Sequence, residues 1–349
     1  MIETLIIGSG FSALCSDIIL KNLNTKILNF SKINNTPSFL VDRKNLNFYK
    51  FFSTKGLSSG SINFDIYKNI QLHDHLIEGG NTNLWGGFID IAEIPIDFIN
   101  LFKNHSIKFK KLNLNKNGYK SNNPQIRQLR DSYGKILNSK FLFNNCINGF
   151  LHSFKVEKNK IITKIFNAKD NKFIFIETKK IILAISFPQL IDLLIRSELI
   201  LGIKNLTLSE YKHKFSLNFS KKITNNENGD CIIKYDFLRC LKHYLGFQKS
   251  LDDIKLPIPI YIDQIFSKRK QFIKLNLDCN LGKISNTTKQ ISFGDSIHYC
   301  NLFIDDISAN DYLLKISKNI IGIGMPFVDQ KKPGPISNDL MNDIYNKLQ

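Results

Sequence analysis

The chain has 349 residues, enough to bury a large core as one complex domain or as two interleaved ones. Hydrophobic residues make up 43%, and no apolar run approaches the ~20 residues of a membrane span, so a globular protein without a transmembrane segment is expected. The formal charge of +18 is spread along the whole chain among asparagines and isoleucines, and no recognition motif accompanies it, which argues against nucleic acid as a partner. Contact with an anionic membrane surface stays open.

Six cysteines (Cys15, Cys146, Cys231, Cys240, Cys279, Cys300) lack C-x-x-C spacing, so neither a zinc site nor a disulfide framework is expected. A reducing cytoplasm is the simplest setting. The N-terminal apolar stretch has no basic leader and is broken by glycines. It therefore reads as a strand rather than a signal peptide.

Glu3-Thr4-Leu5-Ile6-Ile7 predicts a buried strand, and Gly8-Ser9-Gly10-Phe11-Ser12-Ala13 follows it at once. Leu14, Ile18, Ile19 and Leu23 then recur with helical spacing. This is G-x-G-x-x-G/A between a strand and a helix, the context in which it binds a dinucleotide. Gly8 permits the turn, Gly10 lets backbone approach a pyrophosphate, and Ala13 keeps helix and strand close. The helix N-terminus offers N–H groups to the phosphates. Thr25 to Phe30 reads as the second strand. Its end should carry a ribose ligand, and counting places Ser31 there, with Asn29 one pleat away. Neither is an acid, so the particular dinucleotide is left open.

Residues to about 76 read as loop with short elements. His73 and His75 flank Asp74 and could ligate a metal from one face of a strand, but no third partner is in view, so no metal is expected. Gly79-Gly80-Asn81-Thr82-Asn83-Leu84-Trp85-Gly86-Gly87 holds four glycines and the only tryptophan. Such a run lets backbone approach a flat cofactor closely. Gln125 through Leu137 is expected to be helical.

Lys160–Phe166 and Phe173–Glu177 alternate with strand period around an Asp170-Asn171 turn, predicting a hairpin. Lys180-Ile181-Ile182-Leu183-Ala184 is continuously apolar, as a parallel strand covered on both faces should be. A helix through Leu190, Leu193, Leu194 and Ile195 follows. Strand-like segments at Phe215–Phe219, Cys231–Phe237, Phe272–Leu277 and Gln290–Phe293 suggest a second, antiparallel sheet. Asn319–Gly324 predicts one more buried strand, and Pro335 opens a last helix bearing Leu340, Ile344 and Leu348.

Four of these segments resemble the glucose–methanol–choline (GMC) family of flavin oxidoreductases, nearest its pyranose oxidase and gluconate dehydrogenase branch. Gly8–Ala13 is similar to the family's flavin adenine dinucleotide (FAD) loop, and Gly79–Trp85 resembles its G-G-x-[ST]-x-x-W segment. Lys180–Ser186 with Pro188-Gln189-Leu190 looks like its VVLAAG strand and P-Q-L-L helix. Asn319–Gly324 and the terminal helix resemble its closing region.

The resemblance implies an α/β fold: a Rossmann-type FAD-binding domain with a smaller α+β substrate domain on an antiparallel sheet. Residues 1–100, 140–204 and 300–349 would form the former, and 101–139 with 205–299 the latter. It implies FAD held by Gly8, Gly10, Phe11, Ser12, Ala13, Ser31, Gly79, Gly80, Asn81, Thr82, Trp85, Ala184 and Gly324. Binding would be non-covalent, because Leu84 stands where some relatives attach the flavin to a histidine. The implied reaction oxidises an alcohol (CH–OH) donor, a sugar or sugar derivative first, by hydride transfer to flavin N5.

His298, within Gly294–Cys300, sits at the family's H-x-x-G-T position and is the implied base. Asn301-Leu302 replaces the expected Gly-Thr, and Gly334-Pro335-Ile336 replaces Asn-Pro-Thr, so no second catalytic side chain is visible. Electron acceptor and oligomeric state are not specified. Three alternatives stay open: a basic surface-binding protein, favoured only by charge, a divergent flavin-binding protein without catalysis, and a nicotinamide (NAD(P))-dependent reductase. The last leaves the Gly79–Gly87 run unexplained.

Overall fold

A computed structural model describes residues 1–20, 24–29, 46–49, 61–66, 70–75, 79–83, 85–139, 143, 146–167, 170, 172–200, 205–223, 229–236, 260–278, 283–286, 295–329 and 332–349. Strand β1 (Ile2–Ile7) leads through Gly8 into helix α1 (Phe11–Ile19), and β2 (Thr25–Asn29) returns beside β1 in parallel. In the stretch read as loop, β3 (Leu46–Tyr49), β4 (Ser61–Ile66) and β5 (Ile70–His75) pair antiparallel. His73 and His75 lie on β5.

Next come β6 (Phe88–Asp90), α2 (Ile96–Asn104), β7 (Lys108–Lys111), the single turn α3 (Leu114–Asn117), β8 (Tyr119–Ser121) and β9 (Ile126–Arg130). The expected helix over Gln125–Leu137 is not formed. β9 occupies its first half and pairs antiparallel with β6 and β7. Gln, Arg and Leu favour a helix in isolation, but Ile126, Gln128 and Leu129 are buried by the two flanking strands. A turn at Gly134, with φ +79°, then reverses the chain.

β10 (Cys146–Val156), β11 (Ile161–Asn167) and β12 (Lys172–Leu183) form an antiparallel meander, which contains the predicted hairpin. The start of β10 pairs in parallel with β2, and the end of β12 pairs in parallel with β1. Helix α4 (Phe187–Arg196) follows. β13 (Asn205–Asn218), β14 (Cys231–Asp236), β15 (Tyr261–Asp278), β16 (Lys283–Asn286) and β17 (Asp295–Ile304) build the antiparallel sheet that the sequence suggested. β18 (Ile307–Ser308) closes its edge, and β8 joins the opposite edge. The segment Gln290–Phe293 lies outside the described residues. Helix α5 (Ala309–Ile316), β19 (Ile320–Gly322) and α6 (Ser337–Leu348) complete the chain.

The parallel strands run in the order β10-β2-β1-β12-β19. In sequence terms this is 3-2-1-4-5, the doubly wound order, and its switch point falls between β1 and β12. Both faces are covered. Ile6, Ile27 and Ile182 pack against α1, α2 and α6 through Leu14, Ile18, Phe98, Phe102, Met341 and Ile344. Leu5, Ile7, Leu28, Ile181 and Leu183 pack on the other face against Leu190 and Leu194 of α4, with Leu208 and Leu302 of the second sheet. This two-sided burial is why the strands are continuously apolar. A third cluster, including Phe88, Tyr119, Cys231, Ile233 and Phe266, holds the antiparallel sheet against β6 and β9.

One charged pair lies inside the antiparallel sheet. Lys234 and Asp263 are direct cross-strand neighbours, both buried, with Nζ 2.7 Å from Oδ1 but poorly aligned for a hydrogen bond. Asn218 donates to the other carboxylate oxygen at 2.8 Å.

Among the described residues, no helix is long and apolar enough to cross a membrane, and no group of three metal-ligating side chains occurs.

Candidate functional site

A cavity of about 570 Å³ opens where β1, β12 and β19 end. Ligands of open α/β sheets bind outside these strand ends, at the switch point. Gly8 leaves β1 with φ +120°, and a Cβ there would lie 2.3 Å from the Ala184 carbonyl oxygen. The N–H groups of Gly8 and Ala184 continue the ladder to Leu28 and Ile7. Gly8 is thus a packing glycine: β1 and β12 approach too closely for any side chain.

Gly10 is different. Its φ of −80° suits any residue, and nothing lies within 4 Å of the position a Cβ would take. That space belongs to the cavity. Gly10 is also the N-cap of α1, where it provides no side-chain cap, and the first turn of α1 carries no acidic residue. The helix therefore presents its unsatisfied N–H groups and positive dipole end without a built-in anion.

The second glycine run arrives at the same place. Gly80, with φ +49°, sits so close that its absent Cβ would touch Gly10 Cα at 3.6 Å. Gly79 N donates to Ser9 Oγ at 3.1 Å. Thr82, in the 3-10 turn Gly80–Asn83, donates from Oγ1 to Gly79 O at 2.5 Å and meets Ser139 Oγ at 2.9 Å. Ser139 Oγ in turn donates to Ser9 O at 2.6 Å. All four residues are buried, so the two runs are locked by a water-excluded hydrogen-bond network. Trp85 packs its ring on Phe11 at 4.5 Å and donates from Nε1 to Leu137 O at 2.7 Å.

Of the residues expected to hold a cofactor, Gly8, Gly10, Phe11, Ser12, Gly80, Thr82, Trp85, Ala184 and Gly324 line the cavity. Gly324 follows β19 with φ +106°, and an added Cβ would meet Ser12 Oγ at 3.4 Å. Ala13 is fully buried in the core behind α1, where its small size keeps the helix close. Asn81 is placed by its backbone in the 3-10 turn. Ser31 and Leu84 lie outside the described residues. His298 lies on β17 in register with Tyr211, two positions from the partner of His213, and its side chain is not among those described.

The sequence did not single out several residues of this cleft. Ser139 carried no motif. His213 is buried on β13 and faces the cavity, with Nδ1 3.1 Å from the Gln264 amide nitrogen and its ring 4.2 Å from Phe266. Arg196 of α4 also reaches the wall. It is ion-paired with Asp192, donates to His152 O at 2.6 Å and lies over the Phe150 ring.

His152 itself is half-buried, and its pKa falls to about 4 through desolvation, then through the Arg196 and Lys164 charges. The unfolded chain takes up this proton near the ordinary 6.5, and the fold does not until about 4. Stability from this group is therefore complete above pH 6.5 and is lost as pH falls from 6.5 to 4. Thermal melts across that window should show the loss, and His152→Gln should flatten it. An unchanged slope in the variant would refute the assignment.

The fold and cleft define a doubly wound α/β protein with a cavity at the switch point of its parallel sheet. No family model matches the chain, and no curated protein matches it. Three solved structures align over most of it. One is an open form of a variant of NikD, an unusual amino acid oxidase essential for nikkomycin biosynthesis, at 10% identity over 98% of this chain and 93% of that one, with TM-score 0.34. Another is a flavoprotein/dehydrogenase from Cytophaga hutchinsonii, at 8% identity over 99% and 75%, with TM-score 0.36. The third is OxyS, the anhydrotetracycline hydroxylase of Streptomyces rimosus, at 7% identity over 99% of this chain and 60% of that one, with TM-score 0.36. At TM-scores below 0.5 these likenesses carry no weight, and the functional reading rests on the cleft.

Proposed function

We propose that the protein is an FAD-dependent oxidoreductase that binds its cofactor non-covalently and oxidises an alcohol group. The supporting observation is the contact of Gly10 with Gly80, two glycine runs seventy positions apart meeting at the bare N-terminus of α1. The residues present fit the group. The open space beside Gly10 takes a pyrophosphate, while backbone N–H groups at the start of α1 supply donors. Trp85 and Phe11 give an apolar wall, and Ala184 and Gly324 leave room along the strand ends. A nicotinamide cofactor would need only the first of the two runs.

The cofactor, when bound, supplies a hydride acceptor. The chain's own residues bind it, exclude water and hold the substrate's proton. By the GMC resemblance, His298 is the base that takes the hydroxyl proton, and the electron acceptor is left unspecified. The proposed division is a FAD-binding part over 1–100, 140–204 and 300–349 and a substrate part over 101–139 and 205–299.

Purified protein should be yellow and release FAD on heating. A colourless protein that refuses added FAD would sink the reading. His298→Ala should slow flavin reduction by ~10²–10⁴-fold while flavin binding persists. Reduction at the parent rate would remove His298 from the mechanism.

A further inference from the structure

The cavity has a second wall, made by one face of the antiparallel sheet. Residues directly opposite in antiparallel strands share a face, and His213 faces Phe266, Phe215 faces Gln264, and Tyr235 faces Ile262. These six side chains all line the cavity. Four are aromatic or aliphatic, if Tyr235 is counted by its ring, and two of the polar heads, His213 and Gln264, bond each other. The same face continues outwards to Leu217, 68% exposed, beyond Phe215, 39% exposed. An apolar strip therefore runs from the cavity wall onto the surface.

We propose that the substrate is an aromatic or similarly apolar alcohol with a single hydroxyl, not a sugar. This inference rests on the flavoprotein reading and names its substrate class. A sugar brings several hydroxyls, and each one buried without a partner loses its hydration with nothing in return. Against these, the wall sets three polar heads, two of which already bond each other. A planar ring, in contrast, gains contact from Phe215, Phe266 and Ile262 at no polar cost. One hydroxyl is accommodated: with one amide N–H directed to His213 Nδ1, Gln264 keeps its second N–H to donate to the hydroxyl oxygen, which leaves the O–H for the base.

The test uses benzyl alcohol and glucose on purified protein whose FAD content has been measured. Benzyl alcohol should raise the melting temperature and bleach the flavin anaerobically with a KM at least ~10²-fold below that for glucose. Phe215→Ala should raise that KM ~10-fold with kcat near the parent value, and Gln264→Leu should raise it while flavin content stays unchanged. A lower KM for glucose, or flavin-loaded protein that neither compound stabilises, overturns the proposal. If benzyl alcohol binds but leaves the flavin oxidised, the apolar class stands and the oxidation is withdrawn. If no FAD binds at all, the flavin reading fails by itself. Calorimetric titration then still decides this one: preference for benzyl alcohol sustains it, and preference for glucose or no binding of either defeats it.

Discussion

Replacing Gly10 by aspartate should slightly stabilise the fold and abolish cofactor binding. Gly10 is the N-cap of α1 in an extended conformation, and a Cβ there meets nothing within 4 Å. Aspartate is among the preferred N-caps, worth a few tenths of a kcal/mol over glycine, with a similar gain from the helix dipole. The carboxylate would, however, take the N–H groups that a pyrophosphate needs and place like charge beside it. Losing two charge-assisted hydrogen bonds at about 1.5–3 kcal/mol each predicts at least ~10²-fold weaker FAD binding. Thermal melts and FAD titration of the apoprotein measure both quantities. Parent-like affinity would mean that the cofactor does not lie on α1. A melting temperature several degrees lower would mean that Gly10 is structural.

Gly8 separates these meanings. Its added Cβ would collide with the Ala184 carbonyl oxygen, and its φ of +120° is strained for any L side chain. Gly8→Ala therefore acts on the fold, through the β1–β12 contact, before any ligand is considered. The fingerprint thus holds two different glycines, one that lets the strands pack and one that leaves the start of α1 open.

Much of the parallel sheet was legible because its strands are buried on both faces and so are continuously apolar, as at Leu5–Ile7 and Ile181–Leu183. The two glycine runs were legible because most of their glycines, Gly8, Gly79, Gly80 and Gly87 among them, take positive φ, where other residues are strained. What the sequence hid is of another kind. β9 reads as helix from Gln125 to Leu137, and only the partners Phe88–Asp90 and Lys108–Lys111 make it a strand. Ser139 clamps Ser9 from 130 positions away, and no local pattern marks a serine for that task. His213 carries no motif of its own, because its neighbours Gln264 and Phe266 arrive from a strand about fifty residues further on. Long-range pairing of this sort leaves no spacing to read.

The largest stability effect should come from Lys234. Lys234→Met removes the positive partner of Asp263 within the antiparallel sheet, leaving a buried carboxylate that accepts a hydrogen bond from Asn218. Breaking a buried ion pair from one side costs about 3–5 kcal/mol, because the remaining charge is desolvated and uncompensated. That is a large share of the 5–15 kcal/mol that folded proteins of this kind possess. The 2.7 Å contact is badly aligned for a hydrogen bond, so the intact pair should repay little of its own desolvation. Adding Asp263→Leu to Lys234→Met should therefore recover most of the loss. Urea unfolding of the parent, the single variant and the double variant tests this. A double variant no more stable than the single one would show that the sheet depends on the pair itself. Because these side chains sit on the sheet face opposite Gln264 and Ile262, FAD content in the double variant should match the parent.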